Sequence, residues 1–365
     1  MLRSSPFVQL YLARLREFYR QPARIFWVYG FPTLLAVVLG LAFQSRPPAP
    51  IPVHLADGPY AGPIVEAIQD HNRKLGSSPS DPPGGARAIL PPINLAVVPE
   101  SEAIRLLNTG KTTLVILPET SVSWTYRYDP TRPEATAARQ VVDQVLQEAA
   151  GRVNPRQTRD LQVTEAGSRY IDFLIPGLIG VNAMGGGLWG IGFFLVNLRI
   201  AKLLKCFVAT PMPRRDFLGA ILAARLTFLI PDLAVLLLLG SLAFGMPIRG
   251  SLLLVILIDV VGALAFAGIG LLVASRVRTT EAVSGLMNLV MIPMYLLSGV
   301  FFSSDHFPER FQPLIQALPL TQLVGALRKV LLEGAGLVEV SSSVCILTAW
   351  AVVTFSLALR WFRWT

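Results

Sequence analysis

Six long apolar stretches constrain this chain more than any other feature of its sequence. They run from Ile25 to Phe43, Phe173 to Leu198, Phe217 to Phe244, Leu252 to Ala274, Ala282 to Phe302 and Val344 to Trp361. A run of about 20 apolar residues can cross the hydrocarbon core of a bilayer as a helix. Because lipid offers the backbone no hydrogen-bond partner, each run must satisfy its own N–H and C=O groups. These stretches therefore predict an all-α polytopic membrane protein with six transmembrane helices.

The balance of residue types excludes a water-soluble globule. Of the 365 residues, 53% are hydrophobic and 15% are charged, whereas a typical soluble domain has about 25% charged residues. The net charge of +9 comes from cations that flank the apolar stretches, so nucleic acid is not a predicted partner. The two cysteines, Cys206 and Cys345, indicate neither a disulfide framework nor a zinc site. Neither a metal site nor a catalytic motif is predicted.

The distribution of Lys and Arg predicts the orientation in the membrane. With the N-terminus inside, the short inner segments hold 14 Lys and Arg residues and the two short outer segments hold 4. Short cytoplasmic segments carry the excess of positive charge in membrane proteins. We therefore expect both termini to be cytoplasmic and the long polar insert after the first stretch to be outside.

The predicted organisation has an N-terminal helix, a membrane region and one inserted domain. An interfacial amphipathic helix is expected within residues 1–24, where Arg14, Arg16, Glu17 and Arg20 alternate with apolar residues at helical spacing. The further segments are the first transmembrane helix (25–44), an extracytoplasmic α/β domain (45–170) and a five-helix transmembrane region (171–365), which includes a cytoplasmic loop (199–216) and an outer re-entrant segment (303–340).

The insert alternates between strand and helix patterns. Strands are predicted at 51–55, 93–98, 112–117 and 122–128, helices at 59–75, 100–108 and 134–151, and a loop at 77–92. The segment NTGKTTLVIL resembles the end of a phosphate-binding loop, but Arg105 stands where its first glycine is needed. Gly110 is better explained as a left-handed residue that ends a helix.

Three further features lie within the apolar stretches, and the first of them has alternative interpretations. Arg225, Asp232 and Asp259 lie within apolar stretches, where they would either line a polar cavity or bind a cation, or else form local interhelical hydrogen bonds or an Arg225–Asp232 pair. Gly186 and Gly190 form a small-xxx-small pair that predicts close helix approach. Pro231 is expected to interrupt the third stretch.

The loop RIAKLLKCFVATPMPRRDFLGA, from Arg199 to Ala220, is the sharpest candidate for a functional surface. Leu203, Leu204, Phe207 and Val208 are spaced to form one face of a short helix, and Pro211 with Pro213 forces an extended break. Such a helix either docks in a groove of a partner or only anchors the loop, with its cations setting the topology.

Four segments together carry a resemblance to a known family. They are LREFYRQPARIFWVYGFP near the N-terminus, KLLKCFVATPMPRRDFLGA after the second stretch, YLLSGVFFSSDHFPERFQPL from Tyr295, and LPLTQLVGALRKVLLEG from Leu318. In this order, with six spans, the chain resembles the permease subunits of ABC exporters in the type-2 membrane-protein family, and its large outer domain is similar to the drug-export-like subgroup. The chain departs from many relatives in having Lys202, Leu203, Leu204 and Lys205 where they carry a Gly-Thr-Leu and an acidic residue.

The resemblance implies partners and roles. A separate cytoplasmic ABC ATPase would bind ATP and Mg, for which this chain has no site, and a second copy or a related permease would complete the transporter in a bacterial cytoplasmic (inner) membrane. Membrane lipids and a periplasmic adaptor are further expected partners. The residues implied in ATPase coupling are Arg199, Lys202, Leu203, Leu204, Lys205, Phe207, Thr210, Pro211, Pro213, Arg214 and Arg215, and those implied in the outer segment are Ser298, Gly299, Pro308, Pro319 and Arg328.

The predicted function is that of a permease subunit that moves a drug, a lipid or a similar amphiphile outward, with no catalytic residue of its own. Two alternatives follow from the residues. The first is a membrane-embedded enzyme acting on lipid-linked substrates through Asp232, Asp259 or a carboxylate of the insert. The second is a membrane-anchored sensor or scaffold built on the insert.

Overall fold

The computed structural model describes residues 5–42, 50–76, 90–120, 123–152, 169–210, 212–301, 304 and 307–361. The chain divides into two compact units. One combines Met1–Gln44 with Thr164–Thr365, and the other is Ser45–Val163.

Within the described residues, the first unit has six helices long and apolar enough to cross a membrane, which confirms the predicted polytopic helical class. The spans are Pro22–Ala42, Tyr170–Ile200, Arg215–Ala243, Leu252–Ala274, Thr280–Leu297 and Leu337–Trp361. The sixth span begins seven residues before the predicted start. Its first turns tolerate serines because Ser341 donates a hydrogen bond to the Val338 carbonyl and Ser343 donates one to the Gln322 side chain.

The second and fourth spans approach each other through glycines other than the predicted pair. A Cβ atom on Gly187 would lie 2.5 Å from the backbone of Phe266, and one on Gly270 would overlap the Gly187 carbonyl. Gly186 instead faces the Arg225 side chain, and a Cβ on Gly190 would have 3.7 Å to the same side chain. The prediction that Gly186 and Gly190 permit helix approach was therefore wrong. One residue of helical rotation, about 100°, separates the Gly186 face from the packed face.

Pro231 does not interrupt the third span, contrary to the prediction. The helix Arg214–Leu238 runs through it, and Pro176 and Pro293 likewise lie inside helices. A proline removes one backbone hydrogen bond, but neighbouring helices support the remaining turns of a membrane-spanning helix.

The N-terminal helix, Pro6–Tyr19, packs against the third span. Ser5 caps it by accepting a hydrogen bond from the Val8 amide at 3.4 Å. The Tyr11 hydroxyl bonds the Thr227 hydroxyl at 2.8 Å, and the Phe18 ring stacks on that of Phe228 with centroids 4.0 Å apart. This helix is therefore fastened to the membrane helices by both polar and aromatic contacts.

Two short helices, Gln312–Ala317 and Pro319–Arg328, precede the sixth span. Pro319 occupies the first helical position of the second of them, where its missing N–H leaves no bond unmade. This second helix is buried along most of its length against the second, fourth and sixth spans. It is therefore part of the helical core rather than a surface connection.

The second unit contains a four-stranded sheet with helices. Its strands are β1 (Ile51–Ala56), β2 (Ile93–Val98), β3 (Leu114–Pro118) and β4 (Trp124–Arg127), in the order β2-β1-β3-β4. The first three are parallel and β4 is antiparallel to β3.

The helices Ala61–Gly76, Glu100–Asn108 and Pro133–Ala149 complete this unit. Its core joins apolar residues of the strands to those of the first and last of these helices. Gly110 has φ +72, as predicted. Most of the predicted loop at 77–92 lies outside the described residues.

Candidate functional site

A cavity of about 640 Å³ lies within the first unit, among the N-terminal helix and the first, second, third and fifth spans. Its walls are mainly aromatic and aliphatic, and include Phe18, Trp27, Phe31, Trp189, Phe193 and Phe228. Two π-helical turns, Phe26–Gly30 and Leu188–Phe193, contribute to these walls. Such turns interrupt regular helices and are frequent at functional sites. The volume is in the range of small-molecule pockets, roughly 300–1,000 Å³.

A buried polar cluster lies on one wall of the cavity. Arg225 Nη2 donates to the Asn182 carbonyl oxygen at 2.9 Å, and Asn182 Nδ2 donates to Asp232 Oδ1 at 2.8 Å. Arg225 is 7% exposed and Asp232 is 3% exposed. Among the described side chains, the two charges form no direct ion pair. Both lie on the third span, and Asn182 of the second span connects them. Of the alternatives for these residues, Arg225 and Asp232 combine two, since both line the cavity and both bond Asn182 of the neighbouring helix, whereas neither carboxylate oxygen of Asp259 has a hydrogen-bond partner among the described residues.

Gly186 makes room for the Arg225 guanidinium. Any Cβ at this position would overlap the Nη2, Cζ and Nε atoms of Arg225. The glycine-rich second span therefore admits a charged side chain to the cavity wall. Asp259 belongs to a different environment, since it is 1% exposed in the fourth span and is not among the residues that line the cavity.

Two arginines of the N-terminal region also line the cavity. Arg14 and Arg24 both bond the Glu17 carboxylate, at 2.6 and 3.3 Å. The Arg14 guanidinium lies 3.4 Å from the centroid of the Phe194 ring. Burial lowers the pKa of Arg14, and Glu17 opposes that shift. Arg16 and Arg20 were predicted, with Arg14, on the interfacial helix. They are exposed and do not line the cavity.

The loop after the second span contains a short helix, Leu203–Val208, that is packed on one side only. Leu204 is 1% exposed, and the Phe207 ring lies 4.9 Å from the Phe217 ring of the third span. Leu203 is 45% exposed, and Lys202 and Lys205 are also exposed. The apolar residues predicted to share one face thus divide between the chain's own core and the surface.

The rest of this loop leads directly into the third span. Thr210 donates its hydroxyl to the Phe207 carbonyl at 2.6 Å, Pro213 is the residue before the helix begins, and Arg215 lies 3.8 Å from Asp216. Pro211 and the side chains of Val208 and Arg214 lie outside the described part of the chain.

Arg199 fastens the end of the second span to the end of the fourth. Its Nη1 donates to the carbonyls of Ala274 and Val277, each at 2.7 Å, and its Nη2 donates to that of Ser275 at 3.2 Å. The last carbonyls of a helix have no partner within the helix and carry partial negative charge. Arg199 therefore acts within the chain as a cap for the fourth span.

We expect Arg199→Gln to lower the stability of the protein. The shorter, neutral side chain cannot reach all three carbonyls, and an orphaned buried acceptor costs about 1–3 kcal/mol. The thermal unfolding midpoint in detergent should fall by several degrees, while the control Lys202→Gln, at an exposed neighbouring cation, should leave it unchanged. Equal midpoints for the two variants would contradict this role of Arg199.

A second arginine, Arg328, lies between the fifth and sixth spans, in the segment predicted to be outer (303–340). Arg328 donates to the carbonyls of Phe173 at 3.0 Å and Gly299 at 2.7 Å, and its guanidinium lies 3.4 Å from the Phe173 ring centroid. Gly299 has φ +72 and follows the end of the fifth span, beside the buried Ser298. Pro308 and Pro319 each precede or begin a short helical turn.

Sequence reasoning missed Asn182, the residue that connects Arg225 to Asp232. The signal was available, because an Asn in an otherwise apolar span commonly forms an interhelical hydrogen bond. It also missed Gly186 as the space for a side chain and Phe18 as the aromatic contact of the N-terminal helix. These two depend on which residues face each other and had no separate signal in the sequence.

Comparison with known proteins gives a match over most of the chain. Residues 23–360 match the family model described as "ABC-2 family transporter protein". Among curated proteins, the chain is 28% identical over 196 residues to "ABC transporter G family member 20" of Dictyostelium discoideum, covering 53% of this chain and 27% of that protein.

Two bacterial permeases are also similar. The chain is 31% identical over 100 residues to the "Linearmycin resistance permease protein LnrN" of Bacillus subtilis, covering 27% of this chain and 26% of that protein. It is 27% identical over 199 residues to the "Probable multidrug ABC transporter permease YbhS" of Escherichia coli, covering 52% of this chain and 50% of that protein. The matched regions span half or less of the length of these three relatives.

Proposed function

Because the chain belongs to the ABC-2 family of transporter proteins, we propose that it is the transmembrane permease subunit of an ATP-driven export system. A separate ATPase would bind ATP and Mg and hydrolyse the ATP. This chain would provide the path for a drug, a lipid or a similar amphiphile. The family match supports the permease role, and the direction of transport and the cargo are parts of the proposal.

The observation that carries this proposal is the half-packed loop helix Leu203–Val208. Leu204 and Phe207 attach it to the chain's own core, while Leu203, Lys202 and Lys205 are exposed. An exposed apolar side chain between two cations suits a groove on a partner protein. We propose that the ATPase docks on this surface.

A movement of the loop helix would reach the cavity through a small number of direct contacts. Phe207 contacts Phe217 at the start of the third span, which also carries Arg225 and Asp232. The second span leads into the loop and carries Asn182, and Arg199 joins its end to the fourth span. ATP-driven closure of the ATPase would therefore shift the two helices that hold the polar cluster. Reversing a 1:99 population of two states takes about 5.5 kcal/mol of differential binding, which ATP turnover in the partner would supply.

The placement of the complex is part of the same proposal. We assign the chain to a bacterial inner membrane with both termini cytoplasmic, which the excess of Lys and Arg in the inner segments supports. The unit Ser45–Val163 would then lie outside the cytoplasm, where it could contact a periplasmic adaptor. A second copy or a related permease would complete the transporter.

The docking surface predicts the effect of Leu203→Asp. This change places a carboxylate in the apolar contact, and the loss of a central interface residue typically costs 2 kcal/mol or more, about thirtyfold in affinity. The ATPase that co-purifies with the unaltered protein from native membranes should no longer do so, and the thermal midpoint of the permease should be unchanged.

The matched control is Leu314→Asp, at a leucine that is 60% exposed on a short helix of the outer segment. This variant should retain the ATPase. If Leu203→Asp still co-purified with the ATPase, the proposed docking surface would be wrong. Uphill export by the purified chain in vesicles without any ATPase would contradict the proposed function itself.

A further inference from the structure

We propose that the cavity binds an amphiphile whose headgroup carries a phosphate or a carboxylate, which accepts hydrogen bonds from the Arg225 guanidinium. That this amphiphile is the cargo rests on the proposed function, but its binding does not.

The first argument is the incomplete bonding of Arg225. Its Nη2 donates to Asn182, whereas its Nε is buried and has no hydrogen-bond partner among the described residues. A buried polar group without a partner is destabilising, and more so when it is charged. Native structures therefore supply partners to such groups. Arg225 lines the cavity, and a rotation of its side chain would turn the guanidinium toward an acceptor bound there.

The second argument is that the chain makes room for this group. Gly186 is the position at which any side chain would overlap the guanidinium. Gly185, which also lines the cavity, has no heavy atom within 4 Å of where its Cβ would stand. The second span therefore leaves the guanidinium its place at Gly186 and adds no side chain to the cavity wall at Gly185. A planar guanidinium presents its donors in a fork that suits the oxygens of a phosphate or carboxylate.

The third argument is the balance of charge. Three arginines, Arg14, Arg24 and Arg225, line the cavity, and Asp232 is the one acidic residue among its described walls. Asp232 already accepts a hydrogen bond from Asn182, and Glu17 is shared between Arg14 and Arg24. The lining therefore keeps an excess of positive charge, which favours an anionic headgroup over a cationic one. The aromatic walls suit an apolar body.

Two sources of this chemistry are possible, a resident anionic phospholipid and a transported amphiphile. A binding experiment on the full chain in phosphatidylcholine nanodiscs addresses the shared chemistry. Saturable binding of labelled dodecyl phosphate should be at least tenfold tighter than that of dodecyl maltoside or dodecyltrimethylammonium, because a hydrogen bond to a charged group contributes about 1.5–3 kcal/mol. Empty nanodiscs provide the background from partition into lipid.

Three variants test the site. Arg225→Gln should weaken dodecyl phosphate about tenfold or more and leave dodecyl maltoside unchanged. Arg24→Gln, at a residue that is 36% exposed, should fold normally and weaken dodecyl phosphate about threefold. The control Arg360→Gln removes an exposed arginine from the end of the sixth span, outside the cavity, and should bind as the unaltered protein does. If Arg225→Gln fails to fold, the comparison of Arg24→Gln with Arg360→Gln decides.

The outcomes separate the sources and the hypotheses. Competition by phosphatidic acid in the nanodisc assigns the site to a resident lipid, and its absence assigns the site to a transported amphiphile. Equal affinity for the three probes, tighter binding of the trimethylammonium probe, or unchanged binding by the site variants overturns the inference. Absence of saturable binding also overturns the inference. It is the result expected if a second copy of the chain fills the cavity. ATP-dependent export with no anion preference would contradict this inference and leave the proposed function standing. Anion-selective binding by a chain that has no ATPase partner would contradict only the proposed function.

Discussion

Replacing Gly270 by leucine should prevent the second and fourth spans from packing and leave little folded protein. A Cβ at Gly270 would overlap the Gly187 carbonyl, and a Cβ at Gly187 would lie 2.5 Å from the backbone of Phe266. Overpacking a core typically costs about 1–3 kcal/mol when side chains can adjust. Here the clash is with backbone, so we expect about 3 kcal/mol or more. The measurements are the yield of monodisperse protein after detergent extraction and its thermal midpoint.

The control for this substitution is Gly285→Leu in the fifth span. Gly285 is exposed, and no heavy atom lies within 4 Å of where its Cβ would stand. Leucine there adds helix propensity, up to about 1 kcal/mol relative to glycine, so this variant should be as stable as the unaltered protein or slightly more so. A Gly270→Leu protein that matched it in yield and midpoint would show that the two spans do not meet through these glycines.

The second large effect is expected for Arg328→Leu. The carbonyls of Phe173 and Gly299 would lose their donor, and each orphaned buried acceptor costs about 1–3 kcal/mol. We expect a loss of about 2–4 kcal/mol, equivalent to a fall of roughly 5–15 °C in the thermal midpoint for a unit of this size. Because these bonds join the start of the second span to the end of the fifth, the segment between the fifth and sixth spans should also become sensitive to protease.

Two further variants make the Arg328 result specific. Arg310→Leu removes an exposed arginine from the same segment between the fifth and sixth spans and should leave the midpoint unchanged. Arg328→Lys keeps the charge but has a single ammonium in place of the planar fork, so an intermediate midpoint is expected. If Arg328→Leu and Arg310→Leu proved equally stable, the contacts of Arg328 would have no measurable role.

Arg199 and Arg328 both cap the C-terminal end of a span, and the two spans are consecutive in the chain. Each donates several hydrogen bonds to carbonyls at or just beyond a helix C-terminus, Arg199 at the fourth span and Arg328 at the fifth. Consecutive spans run in opposite directions, so the two arginines act at opposite ends of the bundle. The second span is thus tied at one end to the fourth span through Arg199 and at its other end, through Arg328, to the end of the fifth span.

The fold class could be predicted because its signals are local. The length and apolar character of each span, the charge of the short connections and the alternation of strand and helix patterns are all properties of short windows of sequence. The family resemblance rested on four such windows and is confirmed by the match over residues 23–360. The charged residues within the spans could also be identified, since a charge in an apolar stretch is conspicuous wherever it points.

Local patterns of residues were therefore enough to predict a six-span membrane protein with an inserted domain and a small set of intramembrane charges. The packing of the helices was needed to show that Asn182 lies between Arg225 and Asp232, that Gly187 and Gly270 rather than Gly186 and Gly190 form the helix contact, and that Arg199 caps a neighbouring span. The physical reason is that adjacent helical residues differ by about 100° in direction, so partners are set by the rotation and depth of whole helices. The rotation and depth of each helix depend on how all the spans pack together, and no single short window of sequence carries that information.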